Sequence, residues 1–362
     1  MKRFAILILV FQYTLLFAQS SYCVDFTNLD SLKNFPVINE DFKNKKIILL
    51  GEAPHNMPAN TFLQVEFLIY LNKSLGTKVL LIEFGGSEAY LLNKYLQTGD
   101  LKYYSKSYYG VKRALEAKLS IQKLYEYNKL LHENEKIKIV GLDFEREPAL
   151  SFTIQYFLDQ LDTVAQLSEL KERVKMRCDT VAVGYDSTEP FLVFMRNEIP
   201  KYHQWLRQAP DWLQIEDLIN SKSSFANFSL RDKDMANRFS KLSKDERFLG
   251  SFGTMHTRLD EPSLLAGLIQ KMDGHKDDVL IINLHHENSF YNANKPIETS
   301  FLDDYGFFNR ENIKTYLNHF NKIAECNSFV LKIDATDSHF KKLKNKCDYV
   351  FFLRNQMGYG EY

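Results

Sequence analysis

The sequence predicts an α/β fold in which a mostly parallel central sheet is flanked by helices and carries a helical insertion. Short, predominantly apolar runs recur along the chain, at Ile47–Leu50, Val79–Ile82, Ile137–Val140 and Val279–Asn283. They are too short for helices and suit strands buried on both faces. Stretches with helical spacing of apolar residues separate them, and strands joined in this way pair in parallel through right-handed crossovers. Residues 149–242 contain no convincing strand, only amphipathic helical segments.

At the start, Lys2 and Arg3 precede an apolar run from Phe4 to Phe17 and then Ala18-Gln19-Ser20. This pattern is a secretory signal peptide over residues 1–19, too short to span a membrane. The mature chain is expected to be periplasmic or extracellular, with its α/β domain over residues 24–362. Cys23 offers a lipid-anchoring alternative, but Tyr22 is a poor fit to the small residue that a lipobox needs. Lys+Arg and Asp+Glu are both 46, and without Lys2 and Arg3 the balance is 44 against 46, a net charge of −2. No basic stripe points to nucleic acid, and no second apolar run points to a membrane span. The cysteines are Cys23, Cys178, Cys326 and Cys347. Their spacing does not suggest a zinc site; Cys326 with Cys347 is the favoured disulfide, because they flank a candidate strand and its return, though spacing leaves other pairings open.

The segment Lys45 to Gly86 concentrates the chemistry. Gly51-Glu52 closes the first apolar run and Glu83 closes the second, with Phe62, Val65, Phe67, Leu68, Leu71 and Leu75 at helical spacing between them. This is a strand, helix, strand unit. Glu52 and Glu83 are therefore expected to leave adjacent strands at the carboxyl-terminal edge of the sheet, where ligands of open α/β sheets bind. His55 follows Glu52 in the same loop, placing an imidazole beside two carboxylates. Such a set can activate water or hold a metal; each carboxylate alone fits a helix cap or a lysine partner equally well.

Gly-Glu-x-x-His after a buried strand, a helix ended by Gly76, and a strand ending in Glu83 together resemble the erythromycin-esterase-like family. That family belongs to a wider group with TIKI-type metalloproteases and ChaN-type haem-binding lipoproteins. The strand Ile137–Val140 runs into Gly141-Leu142-Asp143, and the family has a Gly-x-Asp there. Asp143 can bind substrate, orient Arg146 or cap the next helix. The helix over residues 87–98 is followed by a tyrosine-rich stretch from Tyr103 to Tyr109, which fits a ligand wall or packing equally, and a helix over 112–132. The helical segments near 150–176, 187–208, 211–220 and 230–242 are broken by Gly184, Pro190, Pro200 and Pro210 and suit a lid or wall of the ligand crevice. Within them, Arg231-Asp232-x-x-Met235-Ala236 matches a family segment whose arginine is expected near the active site.

The strand from Arg247 to Phe252 leads into Gly253-Thr254-Met255-His256. The family usually has His-Asn-x-His here, so Gly253 replaces one imidazole while His256 is kept. Gln64 departs from the basic residue that the family tends to carry on the first helix. After Val279–Asn283 come His285 and His286, which point to opposite faces of an extended segment, so at most one aims into the site. His285 is the candidate substrate contact. A helix at 311–324 and strands near 328–333 and 348–354 complete the sheet. No internal repeat, phosphate loop, Gly-x-Ser-x-Gly elbow or His-Glu-x-x-His helix occurs, which disfavours serine hydrolases and dinucleotide enzymes.

The resemblance implies hydrolysis of a small-molecule ester or lactone by activated water. His55 would be the general base, oriented by Glu52 or Glu83, with His256 and Arg231 polarising the carbonyl and Asp143 and His285 contacting substrate. No cofactor is required in this reading. One alternative places a divalent metal on His55, His256, Glu52 and Glu83; another is a non-catalytic protein that binds haem or a different ligand. Substrate identity and oligomeric state are left open.

Overall fold

The structure is a computed structural model that describes residues 21–26, 29, 32, 36–53, 55, 57–108, 110, 115–181, 188–221, 228–287, 290–292, 295–296, 326–333 and 341–354. Residues 1–19, expected to be a signal peptide, and the expected helix at 311–324 lie outside them. The sheet strands are β1 (Ser21–Cys23), β2 (Ile47–Glu52), β3 (Val79–Ile82), β4 (Lys138–Gly141), β5 (Phe248–Gly253) and β6 (Val279–Glu287), then β9 (Ser328–Lys332) and β10 (Tyr349–Arg354); β7 (Phe290–Asn292) and β8 (Lys295–Pro296) form a separate ribbon. The sheet has eight strands in the order β1-β9-β10-β6-β2-β5-β3-β4. Its pairings from β10 to β4 are all parallel, and β9 runs antiparallel to both its neighbours. The mostly parallel α/β architecture is thus as expected.

One expectation is corrected. β2 and β3 are not adjacent, because β5 pairs with both, Glu52 opposite Gly253 and Ile82 opposite Ser251. After α1 (Pro36–Lys43) and β2, the helix α2 (Pro58–Leu75) carries the chain across one strand position, and the slot is filled by a strand almost two hundred residues further on. A right-handed crossover fixes direction and hand, not the number of strands it passes.

Alternation along the strands divides the core between the two faces. Ile48, Leu50, Leu80, Ile82, Leu249 and Ile282 pack with Phe67, Leu68 and Leu71 of α2 and with Ile121 and Leu124 of α5 (Leu115–Lys129). Ile47, Leu49, Val79, Leu81, Phe248 and Ile281 pack with Met235, Ala236 and Phe239 of α10 (Phe228–Phe239) and Leu265 and Ile269 of α11 (Leu265–Gln270). Strands covered on both sides need apolar residues at every position, which is why they read as continuous runs. At the end of α2 the backbone turns left-handed at Gly76 (φ 69°), which ends the helix before β3.

Between β4 and β5 the chain forms α6 (Ala149–Asp159), α7 (Ser168–Thr180), α8 (Glu189–Leu206) and α9 (Trp212–Ile219), followed by α10. Leu150, Ile154, Phe157, Val174, Met195, Trp212 and Ile215 build a core of their own, into which α3 (Gly86–Thr98) inserts Tyr90 and Leu91. The Tyr90 hydroxyl donates to Asp211 at 3.0 Å, and Lys94 pairs with the same carboxylate at 2.8 Å. Pro200 lies inside α8 rather than ending a helix, and Pro190 lies in its first turn. The tyrosine stretch falls on and after α4 (Leu101–Lys106): Tyr104 packs on Tyr95 and Tyr108 on Phe84, so these rings serve packing. Among the described residues no helix is long and apolar enough to cross a membrane.

The disulfide joins Cys23 to Cys326, while Cys178 and Cys347 are buried free thiols. This replaces the expected pairing of Cys326 with Cys347. Both precede their strands, and β9 and β10 are antiparallel, so the two cysteines lie at opposite ends of the pair: the Arg354 guanidinium reaches the Cys326 carbonyl, whereas Ile333 bonds the Asp348 carbonyl beside Cys347. Cys23 ends β1, which is antiparallel to β9 and therefore brings it to Cys326.

Candidate functional site

β2 delivers Glu52 to the carboxyl-terminal edge of the sheet, where the carboxylate is buried. Its Oε1 lies 3.0 Å from Nδ1 of His55, and its Oε2 accepts from the Asn60 amide at 3.0 Å. The His55 side chain is 42 % exposed, and among the described residues it is the one imidazole of this edge open to solvent. Glu52 also lies beside the first turn of α2, whose amides and dipole favour a negative charge.

Glu83, just past β3, holds a second cluster. Its Oε1 accepts from Arg231 Nη2 at 2.6 Å and lies 3.4 Å from His256 Nε2, and its Oε2 accepts from the Gly253 amide at 2.5 Å. Burial alone would raise the Glu83 pKa; the hydrogen bond from His256 and the positive charges of His256, Arg231 and His55 outweigh it and hold the group far below the usual carboxylate range. Arg231 forks onto Asp143, with Nε to Oδ1 at 2.8 Å and Nη2 to Oδ2 at 2.6 Å, and Arg146 adds 2.9 Å to the same Oδ2. Asp143 thus orients Arg231 and Arg146. It does not cap α6, and with its side chain only 1 % exposed it serves as a support for the arginine. The guanidinium is spent in the same way, bridging Asp143 and Glu83.

His256 follows β5. Its Nδ1 bonds Asp232 Oδ1 at 2.8 Å, and Asp232, in the first turns of α10, also accepts from the Leu265 amide at 2.8 Å. Burial alone would lower the His256 pKa, but the hydrogen bonds and charges of Asp232 and Glu83 raise it to about 9. At neutral pH the ring is therefore an imidazolium, a hydrogen-bond donor at both nitrogens and not a base. Glu83, Asp143 and Asp232 face Arg231, Arg146 and His256, three anions against three cations in one buried cluster.

Gly253 sits between the two halves. A Cβ there would lie 2.7 Å from His55 Cε1 and 2.9 Å from its Nε2, so the His55 ring occupies the space that a side chain would need. Gly253 thus leaves the room that the His55 ring takes.

His285 and His286 do point to opposite faces. His286 Nε2 bonds Asn60 Oδ1 at 2.6 Å and so joins the Glu52 network, whereas His285 packs at a tilt against Phe352, ring centroids 4.9 Å apart, and has no polar partner on Nε2. Burial pulls their pKa values down to about 3 and about 4, so both are neutral. The candidate substrate contact at His285 is therefore buried against β10, away from His55, and its neighbour is the one linked to the site. Asp232 and Asn60 are the functional partners that sequence reasoning missed; Asp232 lies in the segment already singled out, and Asn60 faces the site one turn before Gln64. Glu145 is a third: it accepts from the Gly86 and Ser87 amides at 2.9 and 3.0 Å and caps α3 from outside that helix.

Glu83 and His256, two of the four residues that could hold a divalent cation, are already engaged. Both Glu83 oxygens already accept hydrogen bonds, and His256 is held protonated by Asp232, so neither can offer a lone pair without dismantling the ion cluster. Among the described residues no group of three or more His, Cys, Asp or Glu side chains converges as a cage.

A mostly parallel α/β sheet with a long helical stretch between β4 and β5 is an erythromycin-esterase type of fold. It is shared by the erythromycin esterase EreC, solved as a histidine-to-asparagine variant in an open conformation (TM-score 0.59, 13 % identity, 94 % of this chain and 99 % of that chain covered). A Bacillus cereus protein has it too (TM-score 0.63, 13 % identity, 94 % and 96 % covered), as does a succinoglycan biosynthesis protein (TM-score 0.56, 14 % identity, 92 % and 94 % covered). At these identities the likeness is one of fold. No protein-family model and no curated protein matches the chain.

Proposed function

We propose that this chain is an exported hydrolase that cleaves an ester or lactone with water activated by His55, without a covalent intermediate. The observation that carries the reading is the half-exposed His55 ring bonded through Nδ1 to the buried Glu52 carboxylate. With Nδ1–H directed at Glu52, the Nε2 lone pair is left to accept a proton from water as its oxygen attacks the carbonyl carbon. The resulting oxyanion collapses, the C–O bond to the alcohol breaks, and the proton returns from His55 to the leaving alkoxide, giving an acid and an alcohol. Glu52 stabilises the transient imidazolium. His256, already cationic, is the donor suited to the developing oxyanion. Arg231 and Asp143 hold Glu83 in register.

The fold likeness to EreC favours ester chemistry, and the helices α6 to α10 would set the size of substrate accepted, so a macrolide is not assumed. An exported location is supported by the leader pattern and by the Cys23–Cys326 disulfide, since such bonds persist in oxidising compartments and this one takes the Cys23 sulfur away from lipid attachment. The test is a panel of esters and lactones offered to the mature protein and to His55→Ala. Turnover abolished in the variant is the expected result; full activity in it overturns the mechanism.

A further inference from the structure

We propose that Asn60 is a positioning residue for His55, with its amide locked in orientation by His286. Four groups from three elements form one chain: His55 Nδ1 to Glu52 Oε1 at 3.0 Å, Asn60 Nδ2 to Glu52 Oε2 at 3.0 Å, and His286 Nε2 to Asn60 Oδ1 at 2.6 Å. The proton positions follow from what each atom can do. A carboxylate only accepts, so the amide nitrogen must face Glu52 and the amide oxygen must face His286. His286 must then carry its proton on Nε2. Its Nδ1 is buried with no partner, and the ring is neutral, so one proton is all it has and the tautomer is settled.

Glu52 is thereby held at both oxygens. With one oxygen bonded only to the half-exposed His55, the carboxylate could turn about its terminal torsion and the imidazole would turn with it. Asn60 removes that freedom from a position 1 % exposed, on the first turn of a helix that packs across the sheet. His286 in turn comes from β6, the neighbour of β2, and donates to the Asn60 carbonyl, which fixes the amide in the orientation that Glu52 needs. None of these residues touches substrate; they act by keeping the His55 proton on Nδ1.

The kinetic consequence rests on the hydrolase reading, but the tautomer does not, and the two are measured separately. Nitrogen-15 spectra of the histidine rings in the whole mature protein, taken at mildly alkaline pH, should show His55 protonated on Nδ1. Asn60→Leu should shift it toward the Nε2–H form and lower kcat about ten- to a hundredfold with KM within about twofold. His286→Gln, which keeps a donor near the Nε2 position, should retain the wild-type tautomer and kcat, whereas His286→Leu should behave as Asn60→Leu. A wild-type His55 tautomer and kcat in Asn60→Leu, or identical behaviour of the two His286 variants, overturns the proposal. If the tautomer shifts as stated while wild type turns over no ester or lactone, the positioning chain stands and the hydrolase reading falls.

Discussion

Replacing Gly253 by alanine should separate activity from stability. The new Cβ would meet His55 Cε1 at 2.7 Å and Nε2 at 2.9 Å, against an ordinary carbon contact of about 3.5 Å or more. The backbone of β5 is tied on both sides to β2 and β3, so the ring is what moves, by roughly 0.8 Å. Because the His55 side chain is 42 % exposed, that movement costs little in folding. Glycine to alanine within a strand also removes unfolded-chain entropy, a gain of about 0.5–1 kcal/mol in general. The Glu52 bond to His55, 3.0 Å long, does not survive such a displacement as an aligned hydrogen bond. A base misplaced by about 1 Å loses on the order of a hundredfold in rate, equivalent to about 2.7 kcal/mol in the barrier. Steady-state kinetics with the best substrate of the panel, alongside thermal unfolding, should therefore show kcat down about a hundredfold and a midpoint unchanged or slightly raised. Activity within twofold of wild type would refute both the packing argument and the place of His55 in the chemistry.

The buried imidazolium of His256 predicts a pH dependence of stability. Its folded pKa, about 9, stands above the ordinary 6.5, so its contribution is complete below about pH 6.5 and is lost as the pH rises toward 9. Denaturant titrations across that window should register a decline of up to roughly 3 kcal/mol that is much reduced in His256→Gln. Chelation should leave turnover unchanged and elemental analysis should find less than one metal per chain; inactivation restored by a single divalent ion would restore the metal reading. Cys326→Ser should lower stability by about 2–5 kcal/mol, as expected for a bridge closing a long loop, with kcat unchanged.

How much of this was legible in the sequence depended on whether a signal was local. β2, β3, β5 and β6 declared themselves because a strand covered on both faces has no polar position to hide. Glu52, His55, Glu83 and His256 were legible because a strand end in a parallel sheet has one edge to reach. The strand order was not, since nothing in residues 47–86 records that β5 returns to lie between β2 and β3. Partner choice was equally hidden. Asp143 and Arg231 looked like substrate contacts because charged residues near an edge do; only burial shows that they satisfy each other. His285 and His286 could be assigned to opposite faces by alternation, but which face held the site depended on the position of α2. The cysteine pairing failed for a similar reason, because proximity to two neighbouring strands says nothing about which end of each.

The insertion of β5 between β2 and β3 has a bearing on how activity arises in a newly made chain. The N-terminal portion through β4 can form its crossover helices and bury much of its apolar surface, yet it holds Glu52 and Glu83 on strands separated by an open slot. Only when β5 enters, after the whole of α6 to α10 has been synthesised, do Gly253 and His256 arrive and the two carboxylates become parts of one site. Closing a pairing across so long a stretch of sequence is intrinsically slow. Competence is therefore acquired late and all at once, and in refolding the return of turnover should trail the return of helical signal, marking the moment the sheet is completed.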